Sequence, residues 1–274
     1  MRLKITHTTE YTYDKPVQYS LQRLRLTPCI GPGQNVRSWN IKVDGAVVEA
    51  GYNDQFGNHV HLVSTEGETH AVNIVASGEV ETEDRTGVFG PHLGFVPLWL
   101  YLRDTPLTKP GKLIHELARS LSGDNPLEVM HSLMNTISET VKYETGMTTA
   151  TTTGEQALES GTGVCQDHAH IFISAARLLD IPARYISGYL MMNGVEQQVA
   201  THAWAEAHLP GLGWVGFDAA NNMCPDDRYV RLATGLCYED AAPISGMRFG
   251  ASGEDLNVTV VVEQQGQSQS QSQS

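Results

Sequence analysis

Over the first eighty residues apolar and polar positions alternate with a period of two, the pattern of strands that bury one face. The runs are Leu3-Lys4-Ile5-Thr6-His7-Thr8, the stretch holding Leu21, Leu24 and Leu26, and Trp39, Ile41 and Val43 up to the turn Asp44-Gly45. A second turn at 53–58 leads into His59-Val60-His61-Leu62-Val63, and 71–80 closes the set. Short strands with frequent turn signals predict an antiparallel β-sandwich over residues 1–84. Residues 85–108 are irregular and rich in Pro and Gly, as in a linker or a loop packed across two domains.

The period then becomes helical. Leu113, Leu117 and Leu121 recur every four residues, and Gly123 follows as a stop. A second helix begins after Asp124-Asn125, with Pro126 at an early position and Leu127, Met130, Leu133, Met134, Ile137 and Val141 as its apolar stripe. A third is predicted over 164–180. There Ala169, Phe172, Ala175, Ala176 and Leu179 share one face, while Asp167, His170, Ser174 and Arg177 fall elsewhere. Its small alanines imply close packing on a neighbour such as a sheet, and Ile181-Pro182 ends it. Strands at 184–192, 200–209 and 213–217 come next, the last two joined by the tight connection Pro210-Gly211-Leu212-Gly213. The Gln/Ser tail over 264–274 is of low complexity and is expected to be disordered. The fold class is α+β, with helices packed on an antiparallel sheet over 109–263.

Composition narrows the partners. A hydrophobic content of 41% is that of a globular protein, and 18 basic against 31 acidic residues give a net charge of −13. Phosphate binding needs concentrated Lys and Arg, so no nucleic-acid partner is expected. No run approaches the length of a membrane helix, and the N-terminus lacks the apolar core of a secretory signal. Cys29, Cys165, Cys224 and Cys237 are scattered without a CxxC pair, which fits a cytoplasmic, reduced protein. The sequence sets no oligomeric state.

Candidate chemistry gathers on Cys165. Gly161-Thr162-Gly163-Val164-Cys165-Gln166-Asp167 places this thiol at the first turn of the third helix, where free N–H groups and the helix dipole favour a thiolate. The same N–H groups can hold a developing oxyanion. His202 lies in the alternating run Thr201-His202-Ala203-Trp204-Ala205-Glu206, and Asp218 ends the next strand, antiparallel to it. A thiol on a helix facing a His–Asp pair on an adjacent sheet is a Cys–His–Asp triad: nucleophile, proton shuttle and orienting group. Trp204 shares a face with His202 and is expected to shield the triad, to line the acyl site, or to pack the core. Tyr143, at the end of the second helix, is a candidate oxyanion donor. Metal binding is the rival reading. On a helix His168 and His170 point to different faces, and His59 and His61 on a strand read as polar residues of the surface, so neither a metal nor a cofactor is expected.

Four ordered segments now bear comparison with a known family. They are Gly163-Val164-Cys165-Gln166-Asp167-His168-Ala169-His170, Ile181-Pro182-Ala183-Arg184-Tyr185-Ile186-Ser187-Gly188-Tyr189, His202-Ala203-Trp204 and Gly213-Trp214-Val215-Gly216-Phe217-Asp218. Together they resemble the bacterial transglutaminase-like superfamily. The resemblance implies a papain-like core over 109–263 with Cys165, His202 and Asp218 as catalytic triad, preceded by the N-terminal β domain common in bacterial members. The chain departs from the family where Ala219-Ala220-Asn221 replaces the usual Pro-Thr-Asn, which predicts a looser turn. His168 stands where an apolar residue is usual, which predicts a more polar pocket beside Cys165. The implied activity is attack of Cys165 on a peptide or carboxamide carbonyl to give a thioester, hydrolysed by water as in a cysteine peptidase or amidase. The alternatives are a protein-glutamine transglutaminase with an amine acceptor, and a non-catalytic binding or scaffold protein on the same fold.

Overall fold

The computed structural model describes residues 1–192, 194, 197–250 and 253–265, and for Glu66 and Gln197 the backbone alone. The alternating N-terminal sequence forms strands β1 (Arg2–Leu24), β2 (Gln34–Asp44), β3 (Val47–Asn53) and β4 (His59–Thr82). In β1, Leu3, Ile5, His7, Thr9 and Tyr11 make the buried row, and Arg2, Lys4 and Glu10 face solvent. The two most polar members of that row satisfy each other. His7 Nε2 lies 3.1 Å from Thr9 Oγ1, and His7 Nδ1 lies 3.0 Å from the Tyr189 hydroxyl.

β1 and β4 run antiparallel over their whole length, with register shifts between Thr12 and Tyr19. On either side of that irregularity β4 takes a different neighbour, β2 along its second half and β3 along its first. The result is one curled antiparallel sheet, continuous through the two long strands.

The rest of the chain forms β5 (Val88–Gly90), a 3₁₀ turn (Leu98–Leu102), α1 (Lys112–Ser120), α2 (Pro126–Thr140), β6 (Lys142–Tyr143), α3 (Gly154–Ser160), β7 (Thr162–Gly163) and α4 (Cys165–Leu178). After these come β8 (Ala183–Leu190), β9 (Gln197–Gln198), β10 (His202–Leu209), β11 (Gly213–Phe217), β12 (Tyr229–Gly235), α5 (Tyr238–Ala241), β13 (Ile244–Phe249) and β14 (Glu254–Gln264). A second antiparallel sheet has the order β12-β8-β10-β11-β5. On it lies α4, whose Ala169, Ala175 and Ala176 meet Ala203, Ala205 and Ala207 of β10 in one core. Small residues on both surfaces let helix and sheet approach closely. Helix α4 differs from the amphipathic expectation: His168, His170, Ser174 and Arg177 are buried as well, because α1, α2 and α3 pack on it and Tyr185, Tyr238, Tyr101 and Thr108 cover His170 and Arg177.

Three further segments bear on the sequence reading. Helix α3 was not predicted. It starts with a capping box in which the Thr153 side chain accepts from Gln156 N and the Gln156 side chain accepts from Thr153 N. Residues 85–108, expected as a linker or a packed loop, lie against the second sheet and α4. Their Val88–Gly90 strand pairs with β11, and the buried Arg177 guanidinium donates to Tyr101 O at 2.9 Å and Thr108 Oγ1 at 2.8 Å. Finally, the span 109–263 does not stay on one sheet. β13 and β14 pair with β1, so the end of the chain completes the N-terminal sheet. Val260 and Val262 there pack with Leu3 and Ile5, and Tyr189, Val230 and Leu232 of the second sheet join the same core. β14 extends to Gln264, and the tail over 266–274 lies outside the described residues.

Candidate active site

Cys165 is the first residue of α4, preceded by Val164 in an extended conformation. Asp167, three residues after that cap, folds its carboxylate back: Oδ2 accepts from Val164 N at 2.8 Å and from Thr148 Oγ1 at 2.7 Å. This closes one of the free N–H groups at the helix start and ties the 144–153 loop to it. Burial holds the Asp167 carboxyl above its ordinary value, against the pull of those two hydrogen bonds. Gly163 is required by close approach, since a Cβ there would sit 2.7 Å from Asp167 Cβ. Cys165 itself is 9% exposed, at the rim of the core.

Opposite the thiol, His202 opens β10 and Asp218 follows β11. Their strands are paired antiparallel, and His202 Nε2 lies 2.6 Å from Asp218 Oδ2. With Nε2 committed to the carboxylate, Nδ1 is the nitrogen left for the thiol, and Cys165 is near enough to help raise the pKa of His202. Burial would lower the imidazole pKa, but the bond to Asp218 and the nearby Cys165 push it up to about 10. The structure thus brings the three sequence-predicted residues together.

Asp218 is held by more partners than the sequence revealed. Its Oδ1 accepts from Ala220 N at 3.0 Å and Asn221 N at 3.2 Å, and its Oδ2 also accepts from Asn221 Nδ2 and the Tyr229 hydroxyl, both at 2.7 Å. Burial alone would raise its pKa, yet the hydrogen bonds from His202, Asn221 and Tyr229 carry it below the ordinary value. Asn221 and Tyr229 escaped the sequence reading. Asn221 carried a signal, a side chain three residues beyond the aspartate at a turn. Tyr229 carried none, since only the fold brings β12 beside it. The turn expected to be loose is closed by reciprocal backbone bonds between Asp218 and Met223, at 2.9 and 3.1 Å. The missing proline is replaced by this pairing and by the carboxylate's grip on two backbone N–H groups.

The other candidates are placed as follows. Trp204 is 1% exposed, with its ring stacked on His202 at 6.2 Å and edge-on to Tyr229 at 5.3 Å. It reaches the site through the imidazole it supports rather than by lining a substrate path. Tyr143, on β6, is 50% exposed, and Cys165 is among the neighbours that act on its phenol. Burial and then the neighbouring Cys165 and Asp218 push its pKa up to about 12, so the phenol keeps its proton and can donate it in a hydrogen bond. Pairing of β6 with β7 fixes its backbone: Lys142 N donates to Gly161 O at 2.9 Å and Glu144 N to Gly163 O at 3.0 Å. His168 does not make the pocket more polar. It is buried, with Nδ1 2.8 Å from Val164 O and Nε2 2.9 Å from Val141 O, and so clamps the start of α4 to the end of α2. His170 accepts from Tyr238 N at 3.1 Å. The rings of His59 and His61 touch, at 4.7 Å between centroids, on the N-terminal sheet. Among the described residues no three His, Cys, Asp or Glu side chains gather as a metal site, and no helix is long and apolar enough to cross a membrane.

Known proteins share both the sequence and the architecture. Residues 3–81 match the bacterial transglutaminase-like N-terminal region, and residues 115–219 match the transglutaminase-like superfamily. An uncharacterised protein of Mycobacterium leprae is 26% identical, the match covering 95% of this chain and 98% of the relative. One from Mycobacterium tuberculosis is 29% identical, covering 95% of this chain and 92% of the relative. A solved structure from Cytophaga hutchinsonii, named as a candidate cysteine protease, superposes with a TM-score of 0.74 at 22% identity, covering 94% of this chain and 90% of that one. That match shows a shared fold through both sheets. With two family models placed in order along the chain, and Cys165, His202 and Asp218 all within the second, this protein belongs to the transglutaminase-like superfamily.

Proposed function

We propose that this protein is a cysteine-dependent acyl-transfer enzyme that forms a thioester at Cys165 and releases the acyl group to water, as a peptidase or amidase does. The observation that carries the reading is His202, bonded to a buried Asp218 at 2.6 Å, with a thiol at a helix start as its neighbour. The candidate cysteine protease from Cytophaga hutchinsonii supports it as an analogy of fold.

The steps follow from these positions. The Cys165 sulfur attacks the carbonyl carbon, and the C=O electron pair moves onto oxygen. That oxyanion is met by free backbone N–H groups of the first turn of α4 and by the Tyr143 hydroxyl. His202, protonated and oriented by Asp218, gives its proton to the leaving amine as the C–N bond breaks. Water then attacks the thioester, passing a proton to His202, and the C–S bond breaks to regenerate the thiolate–imidazolium pair. An amine in place of the water would make a transferase by the same chemistry. The four cysteines are free, in keeping with the reducing cytoplasm as the working compartment.

The test is mass spectrometry of the protein incubated with peptides and small amides, with and without a primary amine. Hydrolysed product is expected, with Cys165→Ala reducing turnover by about 10⁶-fold while the thermal unfolding midpoint stays in place. Amine incorporation in preference to hydrolysis would make the protein a transferase. If Cys165 alkylates no faster than Cys29 and no substrate turns over, the enzymatic reading fails and a binding role takes its place.

A further inference from the structure

Just beyond the end of β10 that carries His202, where the two sheets meet, a cavity of about 180 Å³ opens. Its walls come from both halves of the molecule. Thr9 and Tyr11 of β1 and Leu256 and Val258 of β14 supply the N-terminal sheet's side. Thr201, the residue before His202, and Tyr238 of α5 supply the other. Tyr238 lies 6.2 Å, ring to ring, from Tyr185, and the Tyr185 phenol is held well above its ordinary value by burial and then by the adjacent Cys165. The triad residues do not line the cavity; it is linked to them through Thr201, which precedes His202 in the chain, and through Tyr238, which packs on Tyr185 of the core that holds Cys165.

The lining is also unusual for a chain of net charge −13: among the described residues it includes no Asp, Glu, Lys or Arg. His7 is its one imidazole, and burial pushes that pKa down to about 4, so it is neutral at pH 7. Both its ring nitrogens already have partners in Tyr189 and Thr9. A charged group entering here would lose its water without gaining a counter-charge. An apolar cavity of about 150 Å³ is enough to hold a benzene ring, so this one has room for a large apolar side chain.

We propose that this cavity is the acyl donor's side-chain subsite, taking an aromatic or branched aliphatic side chain next to the carbonyl that Cys165 attacks. The N-terminal sheet, completed by β14, is on this view part of the active site rather than an accessory domain. The proposal rests on the reading of Cys165 as nucleophile, and its test keeps the two apart.

The probes are peptidyl chloromethyl ketones carrying Phe, Leu, Glu or Lys beside the reactive carbon; the sulfur displaces chloride, leaving a thioether that intact mass and peptide mapping locate at Cys165. Iodoacetamide, too small to need the cavity, serves as the control for the thiol alone. The Phe and Leu reagents are expected to react roughly 10- to 200-fold faster than the Glu and Lys reagents, the range over which apolar pockets discriminate. Val258→Trp, which fills the cavity, should remove most of that preference while leaving the iodoacetamide rate in place. Leu256→Glu does the same from a position 52% exposed, where folding is not at stake, and should in addition speed the Lys reagent. Equal rates for all four reagents, or a preference that survives both variants, would overturn the subsite while the nucleophile stands. Iodoacetamide alkylation of Cys165 no faster than that of Cys29 would instead overturn the nucleophile.

Discussion

Strand β10 carries two buried charge clusters on one face, four residues apart. At its start His202 meets Asp218; further along, Glu206 sits between Arg184 and Arg231. Burial and hydrogen bonding are much the same in both, and in both the carboxyl lies below its ordinary value although burial opposes this. What differs is the partner. Glu206 Oε2 accepts from Arg184 Nε at 2.7 Å, and the guanidiniums of Arg184 and Arg231 lie over Trp214 and Phe89 at 3.9 and 3.7 Å. A guanidinium does not release its proton in a protein, so that cluster can only hold shape. His202 can move a proton, and its second nitrogen is left for a thiol. Buried charge therefore marks a site of chemistry only where one member can titrate and has a reactive neighbour.

This contrast can be broken from either side. Asp218→Asn keeps the shape of the first cluster but removes the charge that supports the imidazolium. Turnover should fall by roughly a thousand- to ten-thousand-fold per folded molecule, read as kcat beside a urea denaturation curve that gives the folded fraction. Glu206→Gln should do the opposite. Two guanidiniums would remain buried without a counter-charge, so unfolding free energy should drop by about 3–5 kcal/mol, while Cys165 alkylation per folded molecule holds. Should E206Q silence Cys165 in fully folded protein, the second cluster would be more than structural.

Tyr229→Phe is a finer cut. It deletes one donor to a charged carboxylate and should cost about 1.5–3 kcal/mol of stability in the same urea assay. A last effect is in pH. His202 has its pKa raised from 6.5 to about 10 in the folded chain, so its charged form stabilises fully below pH 6.5, and that contribution is lost as pH rises through about 10. The stability gap between the wild type and His202→Gln should accordingly narrow between pH 6.5 and pH 10. A constant gap over that window would mean that the imidazole is neutral in the folded protein.

The triad was legible because each member carries a local mark. Glycines and a polar first turn flag Cys165, an alternating strand flags His202, and the short Pro-Gly connection puts Asp218 on the adjacent strand. Helix α3 was equally legible in principle, through the Thr153–Gln156 capping box, but a run of threonines before it reads as loop. Tyr229 and the role of Thr148 were not legible, since each meets its carboxylate across a gap in sequence that no periodicity spans. Trp204 shows the limit of face assignment. Alternation correctly put it on the face of His202 but could not say that this face is closed.

By itself, then, the sequence determined most of the local elements and pointed to the Cys–His–Asp constellation, because helix starts, strand periods and tight turns depend on residues a few positions apart. Only the tertiary structure decided which strands share a sheet. Strand β14 was not assigned in the sequence reading, and its partner β1 lies at the other end of the chain. Pairing over that distance depends on the complementarity of whole apolar surfaces, here Val260 and Val262 against Leu3 and Ile5, which no local pattern encodes. The same long-range pairing brings β1 and β14 beside Thr201, and with them the cavity next to His202.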